Sequence, residues 1–398
     1  MKCSEIDLTN FRNIESEKVS FSDGINVLWG KNAQGKSNVL EAVYYFARGR
    51  SFRSAKDREM IRFGADFARI AATCRKSGAE RDAEFEIVIP KDEGLKKKVF
   101  RNGAPISGMG ELIGSFRAVL FCPAHLSLVN GPPHDRRAFL DIAISQLSKE
   151  YMDRLSEYRR LLLQRNAALK AAAKGESVPR ELWETFAEQM AAASSRIASY
   201  RYDYMSMLSF RMLKHFNAMT GGGEVPSLSF VSDSIPKKPS QRGVASDDDE
   251  DKGEIEAEMT EGFGKTNIDP SHLADKLMSD LEREIKHGST VWGPHKDDIR
   301  IKLNGKDAKI FASQGQMRSL ALTMKLSEGE LSYSIGGEKP VILLDDVLSE
   351  LDGERRRFVL GSLKDRQIIV TSCEPSLFDS AEGEVNLLHV EAGHVTQM

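Results

Sequence analysis

The chain has 398 residues, 40% of them hydrophobic and 29% charged, with a formal net charge of −3 at pH 7. That length holds two domains, or one domain carrying a large insertion. The opening MKCSEIDLTNFRN has no apolar leader and no run approaches membrane-spanning length, which argues against a membrane protein and makes the cytoplasm the expected compartment. Cys3, Cys74, Cys122 and Cys373 lie far apart with no CxxC pair, so reduced thiols are expected rather than a zinc site. Residues 246–262 hold nine acidic side chains and one lysine, leaving the rest of the chain at +5, a balance that permits a polyanionic partner.

The first 120 or so residues read as strands broken by turns, with EIDLTNF and GINVLWG as strands and Asn102-Gly103 as a hairpin. Directly after the second strand stands GKNAQGKS, residues 30–37, which satisfies G-x-x-x-x-G-K-[ST] between a strand and a helix. In such a loop the backbone N–H groups of Gly30, Lys31, Asn32, Ala33, Gln34 and Gly35 cradle phosphates. Lys36 reaches the terminal phosphates, and the Ser37 hydroxyl holds Mg²⁺.

From His134 the pattern turns helical. Tyr151, Leu155, Tyr158, Leu162 and Leu169 form one stripe, and Trp183, Phe186, Met190, Ile197, Tyr204, Leu208 and Met212 another. Gly175 and Pro179 break the run, so two antiparallel helices of about 80 residues together are expected. The segment 233–268 reads as a disordered acidic loop, which either is simply solvated or mimics nucleic acid over a basic groove. Helical pattern returns near Leu273–Ile285, followed by two strands joined at Asn304-Gly305.

A P-loop needs a carboxylate at the end of a buried strand, and the best match is remote: Val341-Ile342-Leu343-Leu344-Asp345-Asp346. Asp345 would sit by Mg²⁺, and Asp346 would orient or deprotonate a water. Upstream, Ser313-Gln314-Gly315-Gln316 opens a helix suited to an anion. One molecule already has its phosphate cradle, so this second anion site makes most sense over a nucleotide held by another subunit.

Together these residues resemble the ABC-type ATPases of the SMC/Rad50 branch, and within it the RecF family of recombination-repair proteins. The resemblance rests on NFRN at 10–13, GRSFRSAKDREMIRFG at 49–64, FCPAHLSLVNGPPHDRRAFLD at 121–141, LLLQRNAALK at 161–170, GPHKDD at 293–298, FASQGQMRSLAL at 311–322 and LLDDVLSELD at 343–352. It implies an α/β ATPase lobe built from both chain ends, 1–120 with 288–398, and an inserted helical lobe, 121–287.

The resemblance also implies ATP and Mg²⁺ as cofactors, an ATP-dependent homodimer, weak DNA-stimulated hydrolysis, and binding to duplex and gapped DNA at the nucleoid. RecR-type and RecO-type mediators would be partners in loading recombinase at gaps and stalled forks. By position, Arg12 and Asn13 approach the nucleotide, Ser313 to Gln316 form the signature acting in trans, and Ser349 and Asp352 belong to the D-loop.

There are departures. Ala124-His125 stand where an acidic pair is usual, Met317 replaces a glutamine, and Thr371 holds the switch position, which suits slow hydrolysis. DNA contact is expected from Arg50, Arg53, Lys56 and Arg58, and from Arg136 and Arg137, through salt-dependent phosphate binding without base recognition. Competing classes are a transporter-type ATPase subunit, disfavoured because Lys36 and Asp345 lie 309 positions apart, and a structural SMC-like DNA-organising ATPase. The helical insert is too short for a long arm.

Overall fold

Two kinds of strand sequence build two kinds of sheet. The structure, a computed structural model, describes residues 1–54, 56–236, 253–378 and 383–398. They divide into two compact units, residues 1–125 with 325–398 and residues 126–324.

The first unit begins with β1 (Lys2–Phe11), β2 (Ile14–Ser20), β3 (Ile25–Trp29) and α1 (Lys36–Arg48). Next come β4 (Phe67–Arg75), β5 (Ala83–Pro90), β6 (Lys98–Arg101), β7 (Ala104–Ile106), α2 (Met109–Leu112) and β8 (Ala118–Phe121). The second unit carries α3 (Ser127–Asn130), α4 (Pro133–Ser145), α5 (Lys149–Ala173), α6 (Arg180–Thr220), β9 (Pro226–Ser232) and β10 (Gly253–Glu256). It continues with α7 (Ser271–Ser279), α8 (Leu281–His287), β11 (Asp298–Leu303), β12 (Lys306–Asp307) and α9 (Ala308–Phe311). The division falls inside α10 (Gln314–Gly336); β13 (Val341–Asp345), α11 (Gly353–Ser362), β14 (Ile368–Ser372), β15 (Val385–Glu391) and β16 (His394–Gln397) complete the first unit.

One sheet of the first unit is antiparallel, in the order β2-β1-β4-β5-β6-β7. Its strands alternate, β4 burying every second residue, as a sheet with one wet face requires. Asn102 and Gly103 both take positive φ (51° and 76°) to join β6 to β7, the turn expected from Asn-Gly.

The other sheet runs β16-β15-β3-β14-β13-β8, and all its pairings but β15–β16 are parallel. Val341 to Leu344 and all of β14 are buried, which explains their unbroken apolar runs. Helix α1 is buried over Val39–Ala47 and ends where Gly49, at φ 80°, donates its N–H to the Tyr45 carbonyl.

In the second unit α5 and α6 pair as expected, broken at 174–179. Leu161 rather than Leu162 is the fully buried member of the first stripe. Two corrections follow. The hairpin β11–β12 does not return the chain to the first unit at 288, because β11 pairs with β9 along Asp298–Leu303; the return comes at 325. The insert, mainly helical as expected, also contains a sheet ordered β10-β9-β11-β12.

The acidic segment 233–268 is likewise only partly a loop. Residues 237–252 lie outside the described ones, but Gly253–Glu256 is a strand, with Glu254 bonded to Arg300 and Lys302. Asp203 of α6 accepts N–H bonds from Lys265 and Thr266, fixing the chain beyond that strand. All four cysteines are free, as expected, and Cys3 and Cys74, remote in sequence, are neighbours in the sheet. They face each other across β1 and β4, both free, with burial pushing the Cys74 thiol up.

Candidate nucleotide-binding site

The loop between β3 and α1 is shaped by glycine. Gly30 and Gly35 adopt φ of 149° and 117°, where L side chains are strained. Space forbids one as well, since a Cβ on Gly30 would stand 2.3 Å from the Val390 carbonyl oxygen. The buried Lys36 ammonium donates to the carbonyls of Gly30 (2.6 Å) and Lys31 (2.8 Å), so the positive charge is held at the centre of the turn. Helix α1 starts at Lys36, and the unpaired N–H groups of its first turn add a favourable field for an anion.

Strand order brings the remote carboxylate here. β14 lies between β3 and β13, so the C-terminal ends of all three sit side by side. The Ser37 hydroxyl donates to Asp345 Oδ1 at 2.7 Å, and the Thr371 hydroxyl, at the end of β14, donates to the same oxygen at 3.0 Å. Thr371 Oγ1 in turn accepts the Asp346 N–H at 2.9 Å. Asp346 takes φ 55°, a left-handed conformation that turns its carboxylate away from the strand direction. Ser349 holds it, donating to the Asp346 carbonyl (2.9 Å) and to Oδ1 (3.1 Å). Asp352 caps α11, accepting the Arg355 N–H, and this bond lowers its carboxyl below the usual range.

The fit to a magnesium nucleotide is direct. A hydroxyl and a carboxylate 2.7 Å apart beside a fixed ammonium supply one hard oxygen set for Mg²⁺ and one charge for phosphate. Among the described residues no cluster of three or more His, Cys, Asp or Glu is placed to hold a metal.

Around the rim, expected residues meet others that the sequence did not single out, Asn38, Glu41, Cys373 and the Ala392–Gly393 turn. Asn13 Nδ2 donates to the Gln34 carbonyl (3.1 Å), and its Oδ1 accepts from Asn38 (2.7 Å), so Asn13 braces the phosphate loop. The β15–β16 turn braces it from another side, with Ala392 N–H on Gln34 Oε1 (2.7 Å) and Gly393 N–H on the Gln34 carbonyl (2.9 Å). Cys373 donates to Asn32 Oδ1 at 3.0 Å. Arg12 follows a different course from Asn13. Its guanidinium pairs with fully buried Glu41 of α1 and also reaches Ser54 and the Glu59 carbonyl, clasping the β1–β2 turn to the segment 49–60. A carboxylate on an otherwise apolar helix face was the available signal for Glu41.

In the second unit the signature residues satisfy each other. Ser313 Oγ accepts the Gln316 N–H (3.3 Å) while the Ser313 N–H donates to Gln316 Oε1 (2.7 Å), a reciprocal capping box at the exposed start of α10.

The cations expected on DNA separate into two groups. Arg50 and Lys56 are exposed, and no side-chain partner is seen for them among the described residues. Arg53 donates to Asn38 (2.7 Å) and Arg58 to Glu93 (3.0 Å), yet both stay partly open. Arg136 departs from the expectation: it is buried in a two-bond pair with Asp298 (2.7 and 2.8 Å) that ties α4 to the start of β11. Arg137 donates to the Asp297 carbonyl and stays partly open. At the position lacking the usual acids, burial and the Lys325 and Arg48 charges push His125 well below the ordinary imidazole range, leaving it neutral.

A glycine-rich loop after one parallel strand, facing an aspartate that ends another, defines a P-loop ATPase head of the ABC type. The fold of an Smc head bound to the C-winged helix domain of ScpA is alike at 14% identity, with a TM-score of 0.53 over 100% of this chain and 97% of that one. The RecF/RecN/SMC N-terminal domain family matches residues 2–396. The DNA replication and repair protein RecF of a Geobacillus species is 34% identical over 400 residues, covering 100% of this chain and 99% of that protein. That of Lactobacillus delbrueckii subsp. bulgaricus is 33% identical over 399 residues, covering 100% and 97%. A solved structure of the recombination mediator protein RecF with ATP, in the RecFOR pathway, superposes with a TM-score of 0.85 at 30% identity over 100% and 97% of the two chains. The chain belongs to the RecF family of DNA replication and repair proteins.

Proposed function

We propose that this protein is an ATP-gated DNA-binding recombination mediator. The P-loop and Lys36 bind the triphosphate, Ser37 and Asp345 would hold Mg²⁺, and Asp346, steadied by Ser349, orients the attacking water. Mg²⁺ held there would supply charge neutralisation at the phosphates. Ser313–Gln316 of one copy cover the nucleotide held by another, so ATP drives pairing and slow hydrolysis resets it. Phosphate contacts from Arg50, Arg53, Lys56 and Arg58 give affinity for duplex and gapped DNA. RecR-type and RecO-type partners then join in loading recombinase.

The observation that supports this reading most is the junction of Ser37, Asp345, Thr371 and Asp346, assembled from both chain ends. Sedimentation with ATP, with ADP and without nucleotide, each with and without gapped DNA, tests it. Pairing with ATP alone among the nucleotides, and binding to DNA, are expected. A monomer that ignores both ATP and DNA would refute the reading.

A further inference from the structure

Residues 61–65 carry a side chain that the nucleotide site does not use. The Ala65 N–H donates to the Arg62 carbonyl at 3.0 Å, closing a tight turn with Phe63 and Gly64 in the middle and Gly64 at φ 87°. A Cβ on Gly64 would meet nothing within 4 Å, so the glycine serves the turn's conformation and not a packing need. The turn is anchored: the Arg62 N–H donates to the Asn10 carbonyl (2.9 Å), Ile61 bridges to Phe11, and Arg62 pairs with Glu15 (3.0 Å). At its apex Phe63 is fully exposed, at 102% of its reference area, the highest among the exposed large hydrophobic side chains of the described residues.

A fully solvated phenyl ring removes no apolar area from water on folding, so it gives the fold no stability. It follows directly on a basic stretch of the chain, Arg48, Arg50, Arg53, Lys56, Arg58 and Arg62, in which Arg50 and Lys56 are exposed. An exposed aromatic ring in a cation-rich segment is the composition that takes single-stranded nucleic acid, because every base offers a face for stacking. Intact duplex offers no such face along its length; a gap or a strand end does.

We propose that Phe63 is a base-stacking subsite for an unstacked nucleobase at a DNA strand discontinuity. This rests on the DNA-binding reading above and adds the means by which the protein tells a gap from continuous duplex. The cations supply affinity common to both, and Phe63 supplies the difference.

The test uses the full chain with ATP, a gapped duplex bearing 2-aminopurine at the gap edge, and an intact duplex of equal length. Phe63→Ala is expected to weaken gapped DNA between about fivefold and a hundredfold and to shift intact duplex by less than about twofold, with Phe63→Trp restoring the preference. Wild-type protein should quench the 2-aminopurine and Phe63→Ala should not. Equal weakening on both DNAs, or no change on either, overturns the proposal. So does a loss of nucleotide affinity in place of gap preference, which would put the adenine of ATP on the ring, or persistence of the preference in Phe63→Ala, which would leave an apolar protein partner as the occupant. A wild-type protein that binds neither DNA refutes the DNA-binding reading itself, and is distinguished by failing before any substitution is made.

Discussion

Ser37 Oγ and Asp345 Oδ1 are 2.7 Å apart although 308 positions separate them in the chain. Lys36, one residue before, has its ammonium fixed by two carbonyls of the same loop. A planar guanidinium cannot take that place. Lys36→Arg should therefore keep its thermal unfolding midpoint but lose about a hundredfold in ATP turnover, together with nucleotide-driven pairing. Turnover and sedimentation equal to wild type would remove Lys36 from the mechanism.

Ser313→Arg places a bulky charge at the start of α10 and removes half of its capping box. A lost cap costs about 1 kcal/mol, too little to unfold the unit. Single copies should still bind nucleotide by equilibrium titration, yet fail to pair in the ultracentrifuge. Normal pairing by this variant would sink the trans-signature assignment.

Arg201 of α6, 2% exposed, donates to Asp141 (2.7 Å), Asp297 (2.7 Å), the Pro294 carbonyl (2.7 Å) and the Tyr151 hydroxyl (3.0 Å). Removing it leaves two carboxylates short of a partner in the interior. Arg201→Met should destabilise the second unit by about 3–5 kcal/mol in urea unfolding. A change below about 1 kcal/mol would show that the carboxylates find other partners.

His295, in the GPHKDD stretch, accepts from the Tyr158 hydroxyl at Nδ1 (2.6 Å), leaving Nε2–H to donate to the Thr290 carbonyl (3.1 Å). Burial pushes its pKa down to about 4; the Lys296, Arg137 and Arg201 charges push the same way, and the hydrogen bond to the Thr290 carbonyl opposes them. A folded value below the unfolded one means stability that is fully present above pH 6.5 and is lost as pH falls toward about 4. Between about pH 7 and pH 5 this one group should cost roughly 2 kcal/mol. Urea titrations of wild type and His295→Asn across that range measure it; parallel profiles for the two would assign the acid sensitivity elsewhere.

The nucleotide half of the site was legible because its chemistry is written in short runs: GKNAQGKS before a helix, and four apolar residues before Asp345-Asp346. Both patterns report local backbone demands, positive φ in one and double burial in the other. The cations were not legible in the same way. Arg50 and Arg136 look alike in a string, and only the place of Asp298 opposite Arg136 decides that one is interior and the other wet. The division at 325 was hidden for a similar reason, since β11 carries no mark of pairing with a strand some seventy residues earlier. Asn13, Gln34 and the Ala392–Gly393 turn meet through long-range bonds, some involving side chains and one between backbones, that no periodicity encodes.

The placement of β3 has a consequence for biosynthesis. Both of its sheet neighbours, β14 and β15, come from beyond residue 367, so the strand that carries the phosphate loop leaves the ribosome with two bare edges and keeps them until β14 has been made. A product terminated before β14 would hold that strand unpaired, and an unpaired strand edge is a template for aggregation.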